Sequence, residues 1–379
     1  MRPEFSWRTP LPVVIIVSLV YVLSSCSGHG SGAEISGDTL TERASFLTLV
    51  NCGEYVIADF PDPWNSKSTP RRLLLVPHNT PVPDGFEDAT LVRVPLRNSA
   101  VFSTVHTAAV NELGALGAVS AVADAAYIAP DDPVYALLES GKVKDVGASQ
   151  APSQEVLLDL DPDAVLLSPF QNSGLAGLEG TGIPLVPMAD YMENTPLGRA
   201  EWILLLGELY GQRDKARAVY DRVVNEYLAL AQQAAGVKER PVVLVENVYS
   251  GVWAVPGGKS YRAQMLRDAG ASYPWADNKE SGSLQLSAEA VLDAAQDARF
   301  WLVSGYGHAP TRRELAQNTV LAPEFRAWKE DGIYALDSKK HPVYAMVAFH
   351  PEKVLREYIS IFHPELQVQP APQLYVKAE

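Results

Sequence analysis

Residues 212–235 read QRDKARAVYDRVVNEYLALAQQAA, and the larger apolar side chains Val219, Tyr220, Val223, Tyr227 and Leu230 recur mostly three or four apart. That spacing draws one apolar stripe along an α-helix. Gly211 precedes the segment, Asp214 falls in its first turn and Gly236 follows it, so start and stop signals bracket the pattern. At 1.5 Å per residue the helix is roughly 35 Å long, about the width of a small domain. Comparable lengths of chain lie on either side. The segment is therefore either a surface helix of one large α/β unit or a strut between two smaller ones.

The flanking sequence favours a strut. The chain has 379 residues, enough for two modest domains with separate cores. From Thr90 the pattern alternates between strands and helices: strands at Thr90–Pro95, Ala100–Ser103, Val119–Ala123, Ala164–Ser168 and Ile183–Pro187, with helices at Val105–Leu116, Pro133–Ser140 and Ser153–Leu160. After the long helix the alternation restarts, with strands at Pro241–Glu246, Phe300–Ser304 and Gly332–Leu336. Helices fall at Ser260–Ala269 and Ser287–Ala294, and a helix at Pro351–Phe362 closes the chain. Such alternation implies parallel sheets covered by helices. Ahead of it, Ser45–Val50, Glu54–Phe60 and Arg71–Pro77 are strand-like, and the turn-rich stretch 61–70 suggests a hairpin.

One internal match ties the halves together. Ser153, Glu155, an apolar helix, Asp163 and an apolar strand are echoed by Ser287, Glu289, an apolar helix, Asp297 and an apolar strand. A serine at a helix start caps backbone N–H groups, and a glutamate in the first turn suits the helix dipole, so each copy is at least a good helix start. Two copies at corresponding points of two α/β halves indicate duplicated lobes.

The N-terminus reads as an export signal. Arg2 and Arg8 lead an apolar stretch, Leu11–Leu23, too short to span a bilayer, and Leu23-Ser24-Ser25-Cys26 follows. This resembles the lipobox of bacterial lipoproteins, which implies cleavage before Cys26 and lipidation of its sulfur. The Gly- and Ser-rich stretch 26–41 then reads as a flexible tether. Cys52 would be the only other cysteine, so no intrachain disulfide is expected in the mature chain, and its apolar surroundings suggest a small buried residue. A formal net charge of −14 argues against nucleic-acid binding.

From about Arg93 to Leu366 the chain resembles the periplasmic substrate-binding proteins that feed ABC importers of ferric siderophores, haem and vitamin B12. The likeness rests on the two lobes, the single spanning helix and the paired glutamate motifs. It also includes VKDVGASQAPSQEVLLDLDPDAVLLSP at 143–169, the Gly182-Ile183-Pro184 step, the stretch from Gly207 to Gly211, and the ending His363-Pro364-Glu365-Leu366. The resemblance implies two Rossmann-like lobes with parallel sheets, joined by one long helix. It also implies a monomer that captures its ligand between the lobes and hands it to a permease, and it places Glu155 and Glu289 as docking groups for the membrane subunits. The division expected is a signal at 1–25, a tether at 26–41, a β-rich extension at 42–88 packed beside the first lobe, a first lobe at 89–195, a connecting helical segment at 196–236 and a second lobe at 237–379. The extension is not part of the family's minimal pattern.

Cleft-facing candidates are His106, Tyr127, Tyr191, Tyr249, Trp253, Lys259, Tyr261, Arg262, Trp275, Tyr306, Arg312 and Arg313. Aromatic faces can sandwich a flat macrocycle such as haem or a corrin, and the cations can pair with carboxylates of haem or of a ferric siderophore. Core packing competes for about half of the aromatics. His106 is as readily a packed helix-start residue as an axial haem ligand. The stretch Val255-Pro256-Gly257-Gly258-Lys259-Ser260 falls short of a phosphate-binding loop, because Trp253 stands where that motif requires glycine. The histidines show no metal-ligand spacing, and no GxSxG or Ser/His/Asp arrangement appears. Catalysis is therefore not expected, and no intrinsic cofactor is. The alternative is a chelatase-like haem- or metal-handling enzyme or chaperone on the same two lobes, and a third reading is a surface adhesion lipoprotein.

Overall fold

The computed structural model describes residues 36–171 and 174–379. The expected signal segment, Cys26 and most of the tether lie outside the described residues.

The first described unit is a five-stranded sheet. Strands β1 (Asp38–Thr39), β2 (Thr48–Asn51), β3 (Val56–Phe60) and β4 (Arg71–Pro77) pair antiparallel in order, and β5 (Thr90–Val94) adds in parallel to β4. Sequence alternation is converted here into two faces. Leu49, Ala58, Leu73, Leu75 and Val92 enter the main core, while Ile57, Leu74 and Val76 sit under Tyr55 and Phe86 on the other side. The sequence reading put Thr90–Pro95 in the first lobe and ended the extension at 88. That is corrected: Leu73–Pro77 are in register with Thr90–Val94, so this strand completes the extension's sheet. Strand propensity marks a strand without naming its partner.

The first lobe is a wholly parallel sheet. Strand β6 (Ser99–Val101) leads into helix α1 (Thr104–Glu112), β7 (Val119–Val122) into α2 (Pro133–Glu139), and β8 (Lys144–Asp145) into α3 (Gln154–Leu160); β9 (Ala164–Leu167) and β10 (Leu185–Pro187) follow. The sheet order is β10-β9-β6-β7-β8. Helices α4 (Pro196–Ala200) and α5 (Ile203–Leu209) then lead into α6 (Arg213–Ala235).

The second lobe is not a copy of the first. Strand β11 (Val243–Val245) is followed by the hairpin β12 (Val248–Tyr249) and β13 (Val252–Pro256), helix α7 (Tyr261–Asp268), β14 (Ser283–Leu286) and α8 (Ala288–Ala295). Then come β15 (Phe300–Gly305), α9 (Arg312–Asn318), α10 (Arg326–Lys329), β16 (Ile333–Asp337), α11 (Val343–Phe349), α12 (Pro351–Phe362) and β17 (Val376–Lys377). Strands β11, β15 and β16 are parallel, but β17 closes that sheet antiparallel, and β12, β13 and β14 form a separate antiparallel sheet. The repeated motif nevertheless occupies matching places. Ser153 and Ser287 cap α3 and α8 through the N–H groups of Val156 and Ala290, and each helix feeds a parallel strand flanked on both sides.

Helix α6 joins the lobes as its length requires. Its N-terminal half packs on α5, and Arg222 approaches Glu112 of α1. Its C-terminal half packs on α12 and reaches α7, where the Tyr227 hydroxyl donates to Asp268 at 2.7 Å. Val219, Tyr220, Val223, Tyr227 and Leu230 are all buried in one cluster that continues into both lobes. A second crossing comes from α11, which leaves the second lobe and packs on α1 and α4 of the first.

Two buried carboxylates fasten the extension. Glu201 accepts from the backbone N–H groups of Glu42, Arg43 and Ala44 at 2.7–2.9 Å, and Glu193 from those of Ser45 and Phe46 and from the Trp202 indole. The Glu193→Ala variant leaves these last three donors without their acceptor. Its unfolding free energy should fall by about 2–4 kcal/mol in denaturant titrations. An unaltered midpoint would refute the clamp.

Between the lobes, His350 lies 2.7 Å from Glu112 on α1 and 3.1 Å from Glu352 on α12. Burial alone would push its pKa down, but hydrogen bonds and attraction from both glutamates outweigh burial and raise it to about 9. A raised folded pKa stabilises fully below the unfolded value and is lost as pH climbs through the folded one. Stability should therefore drop by up to roughly 3 kcal/mol between pH 6.5 and pH 9.5. The His350→Gln variant should flatten that slope in pH-resolved thermal melts; an unchanged slope would show that the contact does not matter.

Candidate ligand cleft

The lobes meet where their parallel strands end. Helices α1 and α11 follow the C-terminal ends of β6 and β16, and they pack on each other. The residues after β10 reach the same junction. His106 Nε2 lies 2.8 Å from Asp190 Oδ1, Arg199 donates to Asp190 Oδ2 at 3.1 Å, and the Arg199 guanidinium sits 5.0 Å above the Tyr261 ring of α7. Burial works against the Asp190 carboxylate, yet His106 and Arg199 outweigh it and hold its pKa below the ordinary range. This junction forms a sealed floor between the lobes. In open α/β sheets the crevice beyond the C-terminal strand ends is where ligands lodge.

Large aromatics stand exposed along this edge. Tyr127, on the turn after β7, is 69% exposed, and Phe170, after β9, is 36% exposed. On the second lobe Tyr249 at the β12–β13 hairpin tip is 85% exposed, Tyr306 after β15 is 55% and Tyr344 on α11 is 65%. Ser250 and Gly251 adopt positive φ and make the tight turn that carries Tyr249 beyond the end of β11. A hollow of about 240 Å³ opens on the first lobe, lined by Phe102, Ser103, Thr104, Asp124, Tyr127, Ser149, Ser168 and Phe170. On the second lobe, Lys339 Nζ lies 5.8 Å from the Tyr306 ring centre, in a turn where Asp337 accepts from the backbone N–H groups of Gly307 and Lys339.

The structure sorts the residues singled out by sequence. Tyr127, Tyr249 and Tyr306 are the aromatics that it presents at strand ends. His106 is 1% exposed and turned onto Asp190 and the Phe349 ring, so it is not placed to ligate iron in the cleft. Trp253 is fully buried; its indole donates to the Val245 carbonyl and its ring stacks on Trp301. Trp275 packs edge-on against Tyr273. Tyr191 donates its hydroxyl to the Pro169 carbonyl and braces Phe170, with burial pushing its pKa up to about 12. Tyr261 is half-buried under Arg199, and Arg262 is neutralised by Glu246. Arg312 lies at the opposite end of the second sheet: it covers the Trp328 ring and bonds Asp331, just before the N-terminal end of β16. Arg313 and Lys259 are exposed. Among the described residues no group of three or more His, Cys, Asp or Glu is placed to hold a metal ion.

Phe170, Tyr344 and Lys339 were missed. Each lies one to three residues past a strand or at a helix start, a position visible only once the strands are placed. Glu155 and Glu289 occupy the first turns of α3 and α8, and both are exposed. The N–H of Glu289 itself and the Ser287 hydroxyl hold the Glu289 pKa below the usual carboxylate range.

Comparison with known proteins agrees with this architecture. A family model described as periplasmic binding protein matches residues 102–340. An uncharacterized lipoprotein of Methanocaldococcus jannaschii is 25% identical over 324 residues, covering 80% of this chain and 76% of the relative. Among solved structures, a periplasmic heme binding protein from Pseudomonas aeruginosa superposes with a TM-score of 0.59 at 16% identity, covering 75% of this chain and 98% of that one. The periplasmic vitamin B12 binding protein of Vibrio cholerae does so with a TM-score of 0.51 at 15% identity, covering 73% and 99%. At these identities the structural likeness is one of fold. The family match spans both lobes and α6, and with it the chain belongs to the periplasmic binding proteins, which bind and deliver solutes rather than transform them.

Proposed function

We propose that this protein is the ligand-capturing lipoprotein of an ABC importer, anchored through Cys26 and taking a metal chelate or macrocycle (a ferric siderophore, haem or a corrinoid) into the cleft between its lobes. The observation that carries this reading is the set of exposed aromatic rings that follow the C-terminal ends of parallel strands, Tyr127 and Phe170 on one lobe and Tyr249, Tyr306 and Tyr344 on the other. Rings exposed to water at a concave junction suit a broad, largely apolar ligand. Arg262 is neutralised and Arg312 lies at the far end of its sheet, while Lys339 is a positive group set beside one of these rings, Tyr306. That pattern suits a ligand with a large apolar face and few acidic groups.

Delivery rests on the two exposed glutamates. They sit on separate lobes, each in the first turn of a helix, and Leu158 is exposed on the same helix as Glu155. A two-subunit membrane partner with basic residues would be met at two points, with charge steering the approach. Helix α6 and the α11 crossing favour small lobe tilts over a wide closure.

A thermal-shift screen against haem, cyanocobalamin and ferrichrome tests the reading directly: one of them should raise the unfolding midpoint. Tyr127→Ala and Tyr249→Ala should each weaken that ligand about tenfold. No stabilisation by any of the three would count against a chelate ligand. The Glu155→Arg, Glu289→Arg double variant should abolish uptake while the purified protein keeps its ligand affinity; lost affinity would sink the docking role.

A further inference from the structure

The extension lies outside the residues that match the family, yet it reaches the cleft. Its loop after β3 is held rigid by Asp62, whose carboxylate accepts from the N–H groups of Trp64 and Asn65 at 2.8 and 3.2 Å, and by Ser68, which bonds the Asn65 carbonyl twice. Between this loop and the first lobe is a hollow of about 380 Å³, walled by Phe60, Pro63 and Trp64 on the extension and by Phe170, Leu175 and Pro187 on the lobe. Phe170 lines this hollow and the cleft hollow alike, so the two adjoin at this residue. That ring is fixed from behind by Tyr191, 5.9 Å away.

The chemistry of the hollow selects its occupant. Its walls combine aromatic, prolyl and aliphatic side chains with the neutral polar residues Ser68, Thr69 and Gln171. Its carboxylates are occupied: Glu179 accepts from the Leu175 N–H and is attracted by Arg71, and Asp62 is taken up by its own turn. A neutral, planar apolar group is what such walls favour.

We propose that the extension builds a second compartment of the ligand site, in which a ligand held in the cleft passes an uncharged aryl arm across the edge of Phe170 to lie against Trp64. This rests on the cleft being the ligand site. The extension then acts as a selectivity element, admitting chelates with a projecting aromatic arm and leaving compact ones bound by the cleft alone.

The test uses the full chain and 2-naphthol, a neutral aryl probe too small to bridge the lobes, followed by fluorescence titration. Binding should saturate, weaken about tenfold in Trp64→Ala and stay unchanged in Tyr249→Ala. Because Trp64→Ala could unsettle the loop, Thr69→Trp at an exposed position of the wall fills the hollow without entering a core; it should remove 2-naphthol binding with the unfolding midpoint preserved. No saturable binding, or binding indifferent to both variants, overturns the proposal. Haem, ferrichrome and cyanocobalamin are titrated in parallel. If none binds, the cleft reading fails, and 2-naphthol alone decides whether the hollow is an aryl site. If a chelate with an aryl arm binds through Tyr249 but ignores both hollow variants, the cleft reading stands and the second compartment falls.

Discussion

The apolar stripe of α6 is the constraint on which the remaining architecture depends. Val219 and Tyr220 are buried among first-lobe side chains, and Tyr227, Leu230 and Ala234 among those of the second, within one continuous core. A helix buried by two bodies at once cannot bend between them without opening that core, and dense interiors resist such changes. The crossing by α11 and the packing of α12 along α6 add a second connection beside the first. The two sheets are therefore held with their C-terminal edges toward each other, and a crevice between them follows from the frame before any ligand is considered.

Charge then replaces regular pairing where the chain is irregular. Residues 42–46 form no strand, yet their five N–H groups are met by Glu193 and Glu201. Near the C-terminus Glu357 plays the same part for the N–H groups of Leu374 and Tyr375, which guides β17 onto the edge of the second sheet. Buried donors need acceptors, and a carboxylate can take several at once. The same logic brings His106, Asp190 and Arg199 together under the cleft. Each of these buried acids joins segments far apart in sequence, so the extension and the C-terminal strand belong to the frame rather than hanging from it.

The strut, the two lobes and the matched Ser-Glu motifs were legible in the sequence because they are local patterns: a helical period, a cap, a charge in a first turn. The place of Thr90–Val94 was not, since an isolated strand does not specify its neighbour. The division of the aromatics into core and cleft was only partly legible. Trp253 and Tyr249 are four residues apart around one hairpin, and only the turn at Ser250 and Gly251 decides that one faces Trp301 and the other faces water. Arg262 and Arg312 looked free because their partners, Glu246 and Asp331, are distant in sequence. His106 fell at the third position of α1, where the helical turn directs it inward; no feature near it in sequence announces Asp190.

A stiff frame also bears on how a membrane partner distinguishes loaded from empty protein. Wide closure would signal occupancy by large movement, but a core shared along α6 leaves only small tilts. Glu155 and Glu289 are exposed at the starts of α3 and α8 on separate lobes, so under the proposed docking role a slight tilt about the strut would change their separation. On the proposed two-point docking, the interaction with the permease would be sensitive to that separation, because both contacts must engage for its full strength. On that proposal, the helix that restricts motion between the lobes would make the spacing of the two carboxylates a readable quantity.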